Sequence, residues 1–381
     1  MEIDLSDPQV LRDPFSAYGK AREQAPVVRL VTPGFGHMWA VTRHANAKTL
    51  LSDPRVALTE DTYLPLQVPE HCRKYLRTMQ QTEGEEHARL RRLVSPAFTA
   101  RRAAAFRPRI EQIVDRLLDD LDDGTGRVDF LTRLAQPLPM DVITELVGIP
   151  VDRRDDWRAY GAAIAAGQGR TFVAAIPEIM RDAETAVAAR TGDPGPDLLS
   201  ELIGVPDRLT ATELVTLVWH LVLAGQTPAV LVANAVELLL THPAHLAALR
   251  ADPGLAPTAV EEMTRWAGPQ LLTLPRWTRE PIEIAGTPIE AGQPVTVALA
   301  AVNRDPRAFP DPERLDFGRP AGGHLGYAYG PHFCLGAALA RVQVEVAVTA
   351  LLKRFPGIAL AAAERMPDPG AWRLRTLEVA L

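Results

Sequence analysis

Cys334 stands in HLGYAYGPHFCLGAALAR, a glycine-rich loop that runs straight into a helical pattern. A cysteine at a helix N-terminus meets unpaired N–H groups and the positive end of the helix dipole, which favour thiolate over thiol. Such a sulfur can bind iron. Gly330 and Gly336 permit close backbone approach to a flat ligand and to the sulfur, and His332 is placed to reach an acidic group. A cysteine taken alone is more often a buried, inert thiol; here its neighbours reverse that balance.

Three further pieces suit one anionic, buried cofactor. In EHARLRRLV, His87 and Arg91 lie four apart and share a helix face, so both can donate to a single anion. Arg276 in LLTLPRWT is flanked by apolar residues and suits a buried carboxylate. Glu262 and Arg265 lie three apart in VEEMTRW, an internal ion pair that Arg314 or Arg319 further on can complete. Each pair alone would commonly be a solvated surface pair; their joint order is what chance does not supply.

The elements that must position these residues follow from patterning. A helix over AYGKAREQA, two extended pieces (VVRLV, MWAVT) around PGFG and a helix over HANAKTLLSD make a small mixed start. Residues 54–86 lack clear periodicity and read as a long loop, a substrate-facing lid. Helical patterns dominate from His87 to about Trp266, with breaks near Gly124, Pro150, Gly167 and residues 192–197. Short extended runs (PIEIAG, TPIEAG, QPVTVAL), a proline-rich stretch and a helix over Leu335 to Leu352 complete the chain. The pattern predicts a mainly α fold with a smaller β region, in one domain over 1–381.

The longest helix opens at Thr210, where Thr210 and Glu213 form a capping box, and ends near His242 before Pro243. That is roughly 33 residues, about 50 Å. Apolar residues surround it, while Trp219, His220, Gln226, Asn234 and Glu237 interrupt it, so it reads as a core helix rather than a bilayer span. Pro228 in AGQTP must remove one backbone hydrogen bond, which predicts a kink and a candidate site there.

Composition excludes several classes. With 47% apolar and 23% charged residues the chain is neither disordered nor fibrous. The acidic, proline-broken start MEIDLSDPQVLRDPF carries no basic stretch followed by an apolar run, so the expectation is a cytoplasmic protein without a membrane segment. Only Cys72 and Cys334 occur, which argues against a disulfide framework. A net charge of -6 argues against a nucleic-acid partner, although Arg89, Arg91, Arg92, Arg101, Arg102, Arg107 and Arg109 form a local basic cluster.

At this point the chain resembles a bacterial cytochrome P450 along nearly all its length. The family's cysteine loop, FxxGxHxCxG, is met by Tyr327, Gly330, His332, Cys334 and Gly336, with Tyr for Phe, and with Ala328 where the family has glycine. Its ExxR pair falls on Glu262 and Arg265, with Arg319 as third member of the triad. Its haem-propionate donors fall on His87, Arg91, Arg276 and His332. The resemblance implies the P450 fold, a triangular-prism helical domain with a long central helix across haem b, and Cys334 as axial iron ligand.

One departure matters most. Where the family has an acid followed by threonine to deliver protons to oxygen, this chain has Thr227 and Pro228. Proline offers neither hydroxyl nor N–H. Thr227 supplies one hydroxyl and Gln226 can support a water chain, but neither is a carboxylate. His220, two turns before Thr227, shares its side of the helix and either touches substrate or a proton path or is a hydrogen-bonded core histidine. The resemblance implies a monooxygenase of a small natural product or small peptide, using O2 and electrons from ferredoxin and ferredoxin reductase, working as a monomer. The arginine cluster is then a dock for an acidic ferredoxin. The missing acid and alcohol keep oxidative coupling of aromatic substrates open, and a haem sensor without turnover is the remaining alternative.

Overall fold

The computed structural model describes residues 1–32, 36–59, 68–122, 124, 126–165, 169–205 and 209–381. Helices dominate because their apolar residues recur at helical spacing. In Ala100–Leu121, Ile110, Ile113, Val114, Leu117, Leu118 and Leu121 form one buried stripe. That stripe packs on the Ala337–Arg354 helix, and Arg107 reaches Glu345 across the contact at 2.7 Å. Thr99 caps the first of these helices through the Arg102 N–H.

Among the described residues the strands in chain order are β1 (Glu2–Asp4), β2 (Val27–Thr32), β3 (Gly36–Val41), β4 (Val56–Ala57), β5 (Arg127–Asp129), β6 (Arg276–Thr278), β7 (Ile282–Ile284), β8 (Thr287–Ile289), β9 (Pro294–Val297), β10 (Ala359–Arg365) and β11 (Leu374–Ala380). The largest sheet runs β1-β2-β3-β9-β6-β4. β2 and β3 form an antiparallel hairpin, with Val27 opposite Val41, and β3 lies parallel to β9. β10, β11 and β5 make a second sheet, and β7 pairs with β8. The hairpin of β10 and β11 does not follow from the sequence pattern, because its outward residues are alanines and charges that give weak alternation. It is tied down by Asn234, whose amide donates to the Ala267 and Trp372 carbonyls at 3.0 and 2.7 Å and accepts from Arg365 at 2.8 Å.

The expected single long helix is two. Ala211–Ala224 opens with the Thr210 and Glu213 capping box, and Pro228–Thr241 follows after three turn residues. Pro228 has no N–H to give Ala224, so the turn tightens: Thr227 N–H goes to the Ala224 carbonyl at 3.3 Å and Ala229 N–H to the Gln226 carbonyl at 3.0 Å. The chain approaches Ile143 so closely here that a Cβ on Gly225 would lie 2.6 Å from its side chain. Ala211–Thr241 is the one helical stretch among the described residues with the length and apolarity to cross a membrane, yet it packs in the main core cluster.

The expected lid over 54–86 is corrected in its described second half. Residues 60–67 lie outside the described residues, as does the break at Gly167. Glu70–Arg73 is helical and Met79–Gln81 is a short 3-10 turn. Cys72, Tyr75 and Met79 are buried. Tyr75 donates its hydroxyl to Glu184 at 2.6 Å, and its carbonyl accepts from the Trp219 indole at 3.0 Å. Burial of three apolar side chains with these bonds makes this half a fixed clamp, a result that local composition does not reveal.

Candidate active site around Cys334

The loop before Cys334 is shaped by backbone needs. Gly330 has φ 77°, and a Cβ there would meet the Leu51 carbonyl oxygen at 2.6 Å, so only glycine fits. The Cys334 N–H bonds to the Tyr327 carbonyl at 2.9 Å, closing the loop. Ala328 sits at φ 59°, the left-handed region where the resembling family carries glycine. Ala328→Gly is therefore expected to raise stability by about 0.5–1 kcal/mol after glycine's larger chain entropy is counted. An unchanged or lower urea midpoint would show the strain to be absent.

The helix after the cysteine starts at Ala337, with Gly336 as its cap. The sulfur thus lies ahead of the first turn and receives the Gly336 and Ala337 N–H groups. Those N–H groups lower the thiol's pKa, as expected of a helix end, but burial opposes them. Burial pushes the thiol above its ordinary value and outweighs those N–H groups and the cations Arg91 and Arg341. Cys334 keeps an exposed face even though the protein is dense on its other sides. Tyr327 is buried beside it, with Arg341 stacked 4.4 Å from the ring centre. Its hydroxyl has only Thr264 nearby and no well-formed bond, and burial pushes its pKa up to about 12.

The four cationic candidates converge on this loop from three elements. Helix Gly84–Val94 carries His87 and Arg91, and β6 carries Arg276. The His87 ring stacks on His332 at 4.1 Å, and Arg91 donates to the Phe333 carbonyl. Burial, then the cations His332 and Arg91, drive His87 down to about 4. The acidic group expected near His332 is Glu83, whose Oε2 lies 3.0 Å from its Nε2. Glu83 also accepts the Leu58 N–H at 2.9 Å. Burial alone would raise its pKa, but His332, the Leu58 N–H and Arg276 hold it below the usual range. Sequence reading missed Glu83 because it is one of several acids in TEGEEH, and only the fold selects which one faces His332.

These residues fit a haem on observations of the protein itself. Arg276 is 5% exposed, bonds only to the Leu51 carbonyl at 3.3 Å, and among the described residues has no carboxylate at ion-pair distance. A buried guanidinium with spare donors suits an added carboxylate such as a propionate. No protein atom lies within 4 Å of a Cβ built on Gly336, beside the sulfur. Among the described residues no group of three or more His, Cys, Asp or Glu could hold a metal ion.

Behind the loop, Glu262 and Arg265 form a two-bonded pair at 2.7 and 2.8 Å, each 2% exposed in its side chain. Arg319, not Arg314, supplies the third charge, at 3.1 Å from Glu262; Arg314 contributes its carbonyl to Arg265. Arg265 also donates to the Asn303 and Pro312 carbonyls, and Glu262 accepts the Asp316 N–H at 2.9 Å. The network pins the proline-rich stretch against the helix that precedes β6.

The distal triplet does not act on one face. Thr227 donates its hydroxyl to the Ala224 carbonyl at 3.0 Å, on an exposed side of the break. Gln226 points the other way, with Oε1 buried and unpartnered among residues of the neighbouring helices. The Nδ1 of His220 is buried and unpartnered, and burial pushes its pKa down to about 4. It is a neutral ring at neutral pH.

The arginine cluster is largely self-neutralised. Arg89 pairs with Glu213, Arg102 with Glu201, Arg107 with Glu345 and Arg109 with Glu145. Arg92 and Arg101 remain exposed, and Phe333, whose carbonyl Arg91 reaches, is 40% exposed. Carboxylates distant in sequence supply the compensation, so charge runs overstate the patch.

Comparison with known proteins follows this geometry. The model of the cytochrome P450 family matches residues 254–365, the span holding Glu262, Arg265, Arg276 and Cys334. Cytochrome P450 monooxygenase PikC of Streptomyces venezuelae is 39% identical over 359 residues, 91% of this chain and 85% of its own. The 6-deoxyerythronolide B hydroxylase of Saccharopolyspora erythraea is 40% identical over 379 residues, covering 94% and 92%. The tirandamycin C-bound P450 monooxygenase TamI superposes with a TM-score of 0.88 at 32% identity, covering all of both chains.

Proposed function

The chain belongs to the cytochrome P450 family and is a haem-thiolate monooxygenase, and on that premise we propose that it inserts one oxygen atom from O2 into a mid-sized, largely apolar natural product or small peptide. The observation that carries this reading is the Cys334 sulfur with its two N–H donors, facing out of a loop ringed by His87, Arg91, Arg276 and His332. PikC and the erythronolide hydroxylase act in the same direction, being a monooxygenase and a hydroxylase by name. The cofactor is haem b, and the electrons come from a ferredoxin and its reductase through the face of Arg92, Arg101 and Phe333. The protein works in the cytoplasm as a monomer and a single domain.

Bound haem supplies O2 activation, in the balance RH + O2 + two electrons + two protons giving ROH and water. The protein's part is separable. His87, Arg91, Arg276 and His332 would hold the carboxylates of a bound haem, and Cys334 would be its sulfur ligand. The neutral ring of His220 offers a weakly polar contact to substrate. The Thr227 hydroxyl, already donating to Ala224, retains lone pairs for a water but no carboxylate behind it.

Reconstitution with ferredoxin, reductase and a substrate found by Soret shift, followed by weighing the product, tests this. Gain of one oxygen is expected. Loss of two hydrogens or dimerisation would replace it with oxidative coupling, the reading that the absent acid and alcohol favour. No product with any ligand would leave a sensor. In the same assay Pro228→Thr is expected to shift the ratio of oxidised product to hydrogen peroxide; an unchanged ratio would remove the break from the chemistry.

A further inference from the structure

Glu262 turns inward to Arg265 and Arg319, while its neighbour Glu261, about 100° further round the same helix, meets the helix that follows Cys334. There it holds Arg341. The Arg341 Nε donates to Glu261 Oε1, and its Nη2 donates to Oε2 at 3.2 Å. His324 supplies a third donor: its Nδ1 accepts the Gly326 N–H at 3.1 Å, so the ring proton sits on Nε2, 3.2 Å from Glu261 Oε2. Burial alone would raise the Glu261 carboxyl, but the hydrogen bonds from His324 and Arg341 hold it down at about 2. The helix before β6 thus carries a second ion pair, beside the Glu262 triad and separate from it.

The guanidinium so held lies over the Tyr327 ring, 4.4 Å from its centre, and the Tyr327 carbonyl accepts the Cys334 N–H at 2.9 Å. Its positive charge is felt at the sulfur, where it favours the anion. Arg91 acts on the sulfur in the same sense but donates to the Phe333 carbonyl inside the cysteine loop, whereas Arg341 spends its hydrogen bonds on Glu261. We propose that Glu261 and Arg341 set the reduction potential of a haem held at Cys334, with Arg341 raising it from the Tyr327 side of the sulfur and Glu261 lowering it. Ferric haem takes one electron from the ferredoxin to become ferrous, which adds one negative charge to the haem and its sulfur. A nearby cation favours that change, and a nearby anion opposes it. Glu261 therefore has two effects of opposite sign, fixing the cation in place and offsetting part of its field. Because 34% of the Arg341 side chain is exposed, water and salt screen a share of what remains. Neither residue touches the reacting atoms, so both are positioning residues. The inference rests on haem ligation by Cys334 and is independent of the product formed.

Three variants test this in a spectroelectrochemical titration of the haem-loaded protein, without ferredoxin or substrate. Arg341→Gln is expected to shift the ferric–ferrous equilibrium toward ferric by about tenfold, which for one electron is a potential about 59 mV lower. Glu261→Gln keeps an acceptor oxygen for Arg341 and deletes only the negative charge, so it should shift the equilibrium toward ferrous by about threefold or more. Arg341→Lys keeps the charge without the planar stack and should stay within about twofold of the parent. Opposite signs for the two glutamine variants are the signature, since a loosened cysteine loop would move both the same way. Shifts of one sign, or no shift in either, would overturn the proposal. If Arg341→Gln fails to retain haem, Glu261→Gln decides alone, and an unchanged or lower potential there overturns it. A docking role for Arg341 would instead leave both potentials unchanged and slow only reduction by ferredoxin, which counts against it equally. Oxidative coupling by the wild type would replace the monooxygenase reading and leave these potentials as they are.

Discussion

Glu262→Ala is expected to cost about 3–5 kcal/mol of stability, because it leaves Arg265 buried without its counter-charge. Both side chains are 2% exposed, and Glu262 holds Arg319 and the Asp316 N–H as well as Arg265. Losing it strands two guanidinium groups and one backbone donor together. Against a total stability of about 5–15 kcal/mol, the variant should lose haem at temperatures where the parent keeps it. Urea unfolding followed by Soret absorbance measures this. Glu262→Ala/Arg265→Ala should cost less than the two single losses summed, since one charge no longer outlives the other. A single-variant loss under about 1 kcal/mol would mean that the carbonyls of Asn303, Pro312 and Arg314 suffice to hold Arg265.

Cys334→Ser should do the opposite, leaving the fold and removing the chemistry. The backbone bond from residue 334 to the Tyr327 carbonyl does not involve the side chain, and the Gly336 and Ala337 N–H groups can donate to an oxygen. Stability should therefore change by no more than about 1 kcal/mol. A serine hydroxyl is far harder to deprotonate than a thiol and is a poor substitute for a soft sulfur ligand. The carbon monoxide complex of the reduced variant should lose the thiolate spectrum, and substrate oxidation should fall to background. Retention of either would mean that another residue ligates the iron.

These two outcomes mark different depths of the same site. The axial sulfur is legible from Cys334, Gly330 and His332 in a row, because a short loop carries its own geometry. The ion-pair triad is half legible: Glu262 and Arg265 face each other by helix spacing, but choosing Arg319 over Arg314 required the path of the proline-rich stretch. The partner of His332 was foreseen as an acid and identified as Glu83 only by the fold. The arginine cluster was misread as free charge, because Glu145, Glu201, Glu213 and Glu345 lie far from it in sequence. The second half of the expected lid is a packed segment, because Cys72, Tyr75 and Met79 are too few to show a period, yet all three are buried.

The order of residues alone determined the ligand loop, the capped start of the central helix at Thr210, and the loss of a backbone bond at Pro228, since each depends on neighbours within one or two turns. Tertiary structure decided what those features face. It turned an expected kink into a break, where the bonds around Pro228 run i→i−3 and Gly225 lies close against Ile143. It sent Gln226 and Thr227 to opposite sides of that break, and it raised the Cys334 thiol by burial where the helix end alone would lower it. Orientation and desolvation are properties of the surrounding packing, and they are set by residues that no local spacing connects.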